Sequence, residues 1–343
     1  MYQDIVKSGD EARRAYAEGI DAFIKRLDGE GYARREAGMP VGDFPARIEE
    51  HRQRYIKMLG IDRLPTEGLP ASALVRVGED ADAVIYRATV YITPEIPMQG
   101  LLFVPHGIKK APLVIAQHGG GGTPELCSDM NGKNNYNHLT RRFLARGAVI
   151  FAPQLLLWNK GEPKETQPSH PIVYNRIEID KNLKRYGLSI TALEIRGIMN
   201  AITYLSSLSF VEADKVGMTG LSYGGYFTLY TMAADTRIKA GFSNACFNDR
   251  NAYPWADWSY PDSGNCFHDA EVAALCAPRS LFIAVGKEDK VFTYQTVLPE
   301  AERVGKYFEA FGCPERYRFL LWEGGHTLPD DDEGIDFLFS ALS

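Results

Sequence analysis

The stretch Val216-Gly217-Met218-Thr219-Gly220-Leu221-Ser222-Tyr223-Gly224-Gly225 reads as a short strand that runs straight into a helix, with one serine at the bend and glycines on either side. So sharp a turn holds the serine in strained backbone geometry and lifts its hydroxyl clear of the sheet. Gly220 and Gly224 leave room for neighbouring backbone to pass, where larger side chains would collide. Ser222 is therefore the candidate nucleophile. Gly-x-Ser-x-Gly is a common pattern, so the flanking sequence has to decide.

Upstream, Leu113 to Gln117 is an apolar run of strand length ending in His118-Gly119-Gly120-Gly121-Gly122, whose glycines let backbone amides face a ligand unshielded. Downstream, Ser280 to Val285 is another buried-strand run, and Gly286-Lys287-Glu288-Asp289 places a carboxylate just past its end. Near the C-terminus, Phe319-Leu320-Leu321-Trp322 leads into Glu323-Gly324-Gly325-His326, which gives the chain order Ser, Asp, His. From Leu113 onward, strand runs at 113–117, 148–152, 216–218, 240–243, 280–285 and 317–322 alternate with helical patterns. That alternation is the signature of a parallel sheet covered on both faces. Residues 74–104 are β-rich, with candidate strands at 75–77, 83–92 and 101–104 that would begin the sheet antiparallel. Further upstream, Tyr16, Ile20, Phe23, Ile24 and Leu27 recur at helical spacing. Residues 1–70 thus read as an N-terminal helical extension, ahead of a main domain over 71–343.

Together these features resemble the α/β-hydrolase superfamily over roughly residues 75–343. Gly220 to Gly225, Ala277 to Ile283 and Gly286 to Phe292 look most like its dienelactone hydrolase and acetyl xylan esterase-like branch. The run Ser222-Tyr223-Gly224-Gly225-Tyr226 also looks like the catalytic domain of prolyl oligopeptidase-type peptidases. The resemblance implies a mostly parallel eight-stranded sheet with helices on both faces. It also implies a triad of Ser222, His326 and Asp289, since the superfamily carries its base in the loop after the last strand. His326 would take the serine proton, and Asp289 would fix the tautomer of the imidazole and stabilise the imidazolium. The backbone amides of Gly120 and Tyr223, with Gly121 able to share the role, would form the oxyanion hole. Asp249 and Glu288 compete with Asp289 as the acid. His118 reads as a shaper of the glycine loop rather than an acid-base group.

The stretch from Cys246 to Phe267 is rich in aromatic residues without helical or strand periodicity. It would either cap the pocket or pack beneath a long loop, and Trp255 and Trp258, with Trp158 from another loop, are the candidate substrate-binding residues. Neither a phosphate loop, a dinucleotide fingerprint nor a metal-ligand cluster is legible, so no cofactor and no metal is expected. The net charge of -6, with basic residues scattered among acidic ones, leaves no electrostatic footprint for a nucleic acid. Five cysteines without paired spacing read as reduced thiols. The N-terminus lacks a secretory pattern and no run is long enough to span a bilayer, which makes the cytoplasm the expected address and no membrane partner expected.

The leading expectation is a serine carboxylic ester hydrolase acting on short-acyl esters of a carbohydrate or other small alcohol. A prolyl oligopeptidase-type peptidase is the alternative. Only about a hundred residues precede the first parallel strand, too few for a propeller built of blades of roughly 40 residues. A non-catalytic hydrolase-like binding protein is the third reading, although it has no need of all three triad members. The N-terminal helices could form a homodimer interface or cover the cleft.

Overall fold

The computed structural model describes residues 2–130, 134–157 and 174–343. Its strands are β1 (Ala73–Glu79), β2 (Ala83–Thr93), β3 (Ile96–Pro105), β4 (Ala111–Gln117), β5 (Val149–Pro153), β6 (Val211–Leu221), β7 (Ile238–Asn244), β8 (Ser280–Gly286) and β9 (Tyr317–Trp322). The helices are α1 (Tyr2–Gly38), α2 (Phe44–Leu59), α3 (Pro124–Cys127), α4 (Leu139–Leu144), α5 (Arg176–Lys184), α6 (Ile190–Ser206), α7 (Tyr223–Ala234), α8 (Ser263–Cys266), α9 (Asp269–Ala274), α10 (Leu298–Ala310) and α11 (Glu333–Ser340).

The strands β4, β5 and β8 and the second half of β6 are nearly continuous apolar runs because both faces of the sheet are covered there, whereas β9, at the edge, is only partly buried. They form one sheet in the order β1-β2-β3-β5-β4-β6-β7-β8-β9. Pairing is antiparallel from β1 through β3 and between β3 and β5, and parallel from β5 to β9. The sheet therefore has nine strands rather than the expected eight. Each of the nine matches a candidate run, the outermost, β1, covering the one at 75–77; its Val75 and Val77 stay more than half exposed at the sheet edge. β6 also begins earlier than its apolar core suggests: Val211 and Glu212 pair with Ala111 and Pro112 of β4, and a register shift then passes over residues 213–215 before Val216 meets Leu113.

Two apolar layers sandwich the sheet. On one face α6 contributes Ile195, Ile198, Ile202 and Leu205 to a core shared with α2, α7, α9 and α10. Ser189 caps α6 by accepting the Ala192 N–H at 3.0 Å, which satisfies one of the helix's open amides. On the other face α4 and α11 cover Phe103, Val114, Ile150, Phe242 and Phe282. The helix α7 is buried along its whole length, which explains why it is apolar all round and shows no stripe.

The helical reading of residues 1–70 divides in the structure. α2 belongs to the main core: Phe44, Tyr55 and Leu59 are buried, the Tyr55 hydroxyl donates to the Tyr230 carbonyl at 2.9 Å, and Arg52 reaches the carbonyls of Ala233 and Leu275. α1 touches the body only near its end, where Gly31 and Arg35 are buried against Gly264. Tyr16, Ile20, Phe23, Ile24 and Leu27 lie exposed along the rest of it. Among the described residues no helix is long and apolar enough to cross a membrane.

Candidate active site

Ser222 sits between the last residue of β6 and the first of α7, with φ 60 and ψ -120, a backbone conformation that a β-substituted residue rarely takes. Its N–H donates to the Asn244 carbonyl at 2.9 Å, and its own carbonyl accepts the Tyr226 N–H at 2.9 Å. The strain is held in place by close approach on both sides. A Cβ on Gly224 would overlap the Gln117 carbonyl of β4, one on Gly225 would overlap the Asn244 carbonyl of β7, and one on Gly220 would strike Gly224 itself. Only glycine lets α7 start this close to three strands.

Asp289 and His326 follow β8 and β9 at the same, carboxyl edge of the sheet. His326 Nδ1 lies 2.8 Å from Asp289 Oδ2, and the carboxylate's other oxygen accepts the N–H groups of Val291 at 2.7 Å and Phe292 at 3.1 Å. The Asp289 side chain is fully buried, whereas that of His326 keeps 22% exposure. The two loops are sewn together: Lys287 N–H donates to the Trp322 carbonyl at 2.9 Å and Glu288 N–H to the Gly324 carbonyl at 2.8 Å. Of the competing acids, Asp249 faces His268 at 3.8 Å, and Glu288 is exposed.

The glycine loop reaches Ser222 from β4, so closely that a Cβ on Gly119 would lie 3.2 Å from the Ser222 Cβ. The Gly119 N–H is taken by the Tyr136 hydroxyl at 2.7 Å, so donation from this loop to a ligand falls to its later glycines, Gly120 and Gly121. Tyr223 opens α7, where amides point out of the helix end. Tyr136 also ties the loop to the histidine. Its neighbour Asn135 donates to the His326 carbonyl at 3.2 Å and accepts the Leu328 N–H at 3.0 Å. The region around Tyr136 carries no motif, and sequence reading passes over it.

His118 is fully buried. Its Nε2 accepts the Leu155 N–H at 3.1 Å, so the ring proton is on Nδ1, 3.0 Å from the Gly119 carbonyl to which it donates. Burial pushes its pKa down to about 4, so it stays neutral, a fixed brace for the loop.

The aromatic insertion is mostly core. Trp258 is 3% exposed and stacks on Tyr226 with ring centroids 4.8 Å apart, which removes it from the candidate substrate contacts. Its flat faces are used up in a stack of rings continuous with α7. Trp255 is half-buried, with its ring 5.6 Å from that of Phe292, which in turn lies 5.8 Å from the His326 ring. It remains beside the site. Trp158 lies outside the described residues. Among the described residues, no group of three or more His, Cys, Asp or Glu side chains could hold a metal ion.

A nine-stranded, mostly parallel sheet with a serine at the β6 elbow and an acid and a histidine after β8 and β9 defines the α/β-hydrolase fold, and the chain has that fold. The Prolyl oligopeptidase family matches residues 191–297, a span that holds Ser222 and Asp289. YtaP of Bacillus subtilis (strain 168), a protein named as a hydrolase, is 26% identical over 171 residues, which cover 47% of this chain and 57% of YtaP. The matched part is thus little more than half the length of that relative. Among solved structures, a glucuronoyl esterase from Solibacter usitatus superposes with a TM-score of 0.61 at 16% identity, over 85% of this chain and 93% of that one. Acetyl xylan esterase 1 from Thermoanaerobacterium sp. JW/SL YS485 does so at 0.58 and 15%, over 87% and 94%.

Proposed function

We propose that the protein is a serine hydrolase of carboxylic esters, with Ser222 as nucleophile, His326 as base and Asp289 as the residue that orients it. One observation carries this reading: a serine in a strained elbow shares one edge of the sheet with a histidine whose Nδ1 is 2.8 Å from a buried carboxylate. In the reaction Ser222 Oγ attacks the ester carbonyl carbon while His326 Nε2 takes its proton. The tetrahedral intermediate collapses as the imidazolium protonates the departing alcohol, leaving an acyl-enzyme. Water, deprotonated by the same imidazole, then releases the acid. The amides of Tyr223 and Gly120 are assigned to the oxyanion, at about 3 to 4 kcal/mol per donor.

Short acyl esters of a carbohydrate or other small alcohol are the substrate class we favour, with Trp255 as the ring on which a sugar would stack. The carbohydrate esterases among the structural neighbours support this choice. The cytoplasm is the address we assign, on the five unpaired cysteines. Replacing Ser222 by Ala is expected to abolish turnover of 4-nitrophenyl acetate while the far-ultraviolet circular dichroism stays unchanged; retained turnover would reject the mechanism.

A second reading, peptide hydrolysis, is favoured by the match to the Prolyl oligopeptidase family. Parallel assays on acetylated sugars and prolyl amides separate the two, and faster cleavage of the amides would replace the first reading by the second.

A further inference from the structure

The glycine loop hangs from β4 and Tyr223 follows β6, yet two amides that share one oxyanion must keep a fixed spacing. One continuous set of hydrogen bonds, part-buried at Leu156 and buried elsewhere, runs between them. On the loop side, His118 donates from Nδ1 to the Gly119 carbonyl and accepts the Leu155 N–H at Nε2. The next residue, Leu156, donates its N–H to Glu194 Oε1 at 3.1 Å and accepts Arg176 Nη1 at its carbonyl at 2.8 Å. Arg176 grips Glu194 with Nη1 and Nη2, each at 2.9 Å, and its Nε donates to Asp257 Oδ2 at 2.6 Å. The Tyr223 hydroxyl donates to that same oxygen at 2.9 Å, and the guanidinium carbon lies 5.5 Å from the centre of the Tyr223 ring.

Every charged member is buried: Arg176 and Glu194 are 5% exposed and Asp257 is 1% exposed. The three come from α5, from α6 and from the aromatic insertion. Two carboxylates against one guanidinium, all out of water, are no better for stability than well-packed apolar side chains of the same size. Their geometric quality is high, because a planar fork that binds one carboxylate with two parallel bonds and a second with its third nitrogen allows little rotation.

We propose that Arg176, together with Glu194 and Asp257, is a positioning residue of the active site, setting the spacing between the glycine-loop amide and the Tyr223 amide by clamping Leu155–Leu156 on one side and the Tyr223 side chain on the other. The proposal rests on the reading of the site as a serine hydrolase. It assigns no proton transfer and no substrate contact to Arg176. Its effect is confined to the stage at which negative charge sits on the carbonyl oxygen.

Two variants of the full chain test it. Tyr223→Phe removes one hydroxyl and leaves every charge paired, so the fold is kept. Arg176→Met unlinks both ends at once. The readouts are kcat and KM on 4-nitrophenyl acetate, and the rate ratio between that ester and its thionoester, whose larger, softer sulfur is a poor fit to amides spaced for oxygen. Tyr223→Phe is expected to lower kcat roughly tenfold to a hundredfold, less than the loss on deleting a donor outright. KM should stay within about twofold, and the preference for oxygen over sulfur should shrink. A folded Arg176→Met should show a larger change of the same kind. Wild-type kcat and wild-type ratio in Tyr223→Phe would overturn the proposal, as would a fall in melting temperature with both kinetic readouts unmoved. Failure of the underlying reading shows itself earlier and separately, as a wild-type chain that neither turns over the ester nor labels at Ser222 with a fluorophosphonate.

Discussion

At the scale of single residues, His118 offers a clean measurement because burial holds its pKa at about 4, below its ordinary value of 6.5. The sign follows from linkage. Between those two values the unfolded chain binds a proton that the folded chain refuses, so stability is full above about pH 6.5 and is lost as pH falls toward 4. A charged ring would also turn an N–H toward the Leu155 N–H, where a lone pair now accepts. Glu300 acts in the opposite sense, since burial raises its carboxyl to about 7 and its contribution falls as pH rises from its ordinary value toward 7. Comparing wild type with His118→Gln cancels that common background. Wild type is expected to lose on the order of 3 kcal/mol more than the variant between pH 6.5 and 4, measured by urea unfolding at each pH; equal slopes would show that His118 is not the group that titrates. For Asp289, the Asn variant keeps the shape but presents a donor where His326 needs an acceptor, and kcat should drop by roughly a thousandfold to ten-thousandfold. Ser222, Asp289 and His326 stand out in the sequence as candidates because each sits in a short glycine-punctuated loop after an apolar run, and the structure sets all three at one edge of the sheet. Tyr136, Arg176 and Glu194 do not, since a buried polar side chain is indistinguishable in sequence from an exposed one until its partners, distant along the chain, are brought together.

Among the elements, α7 depends most on its glycines. Gly224→Ala would drive a methyl group into the Gln117 carbonyl, backbone that cannot step aside without moving β4. A loss of several kcal/mol in urea unfolding is expected, far above the tenths that an alanine usually adds in a helix; a variant as stable as wild type would show that β4 yields to the added methyl group. The apolar runs of β4, β5, β8 and the second half of β6, with the pattern of α6 and α10, could be read directly, because burial on both faces or on one stripe imposes its period on the sequence. The start of β6 and the full extent of β1, seen in sequence only as 75–77, could not, because pairing at an edge is decided by backbone bonds to a neighbour and leaves little trace in residue type. The aromatic insertion misled in part for a related reason: both tryptophans belong to one cluster of rings, and only burial, which no residue type announces, separates Trp258 from half-buried Trp255.

For the molecule as a whole, the body and the first helix are energetically separate. Removing residues 1–27 takes away side chains that are almost all exposed, and the melting temperature is expected to move by about 2 °C or less, as calorimetry would record; a larger fall would mean that the helix braces the body beyond its contact at Gly31 and Arg35. The seating of Ser222 has a different reach. Its elbow is pinned to β4 and β7 by contacts between main-chain atoms, while half-buried Trp255 and exposed Pro254 and Ala256 stand outside that frame, unlike Asp257 and Trp258 of the same insertion, which pack against α7. Heritable change can therefore rework what the enzyme accepts without disturbing where bonds are broken: new specificities can be tried on a fixed anvil, and a lineage of such chains would be expected to diverge in appetite long before it diverges in chemistry.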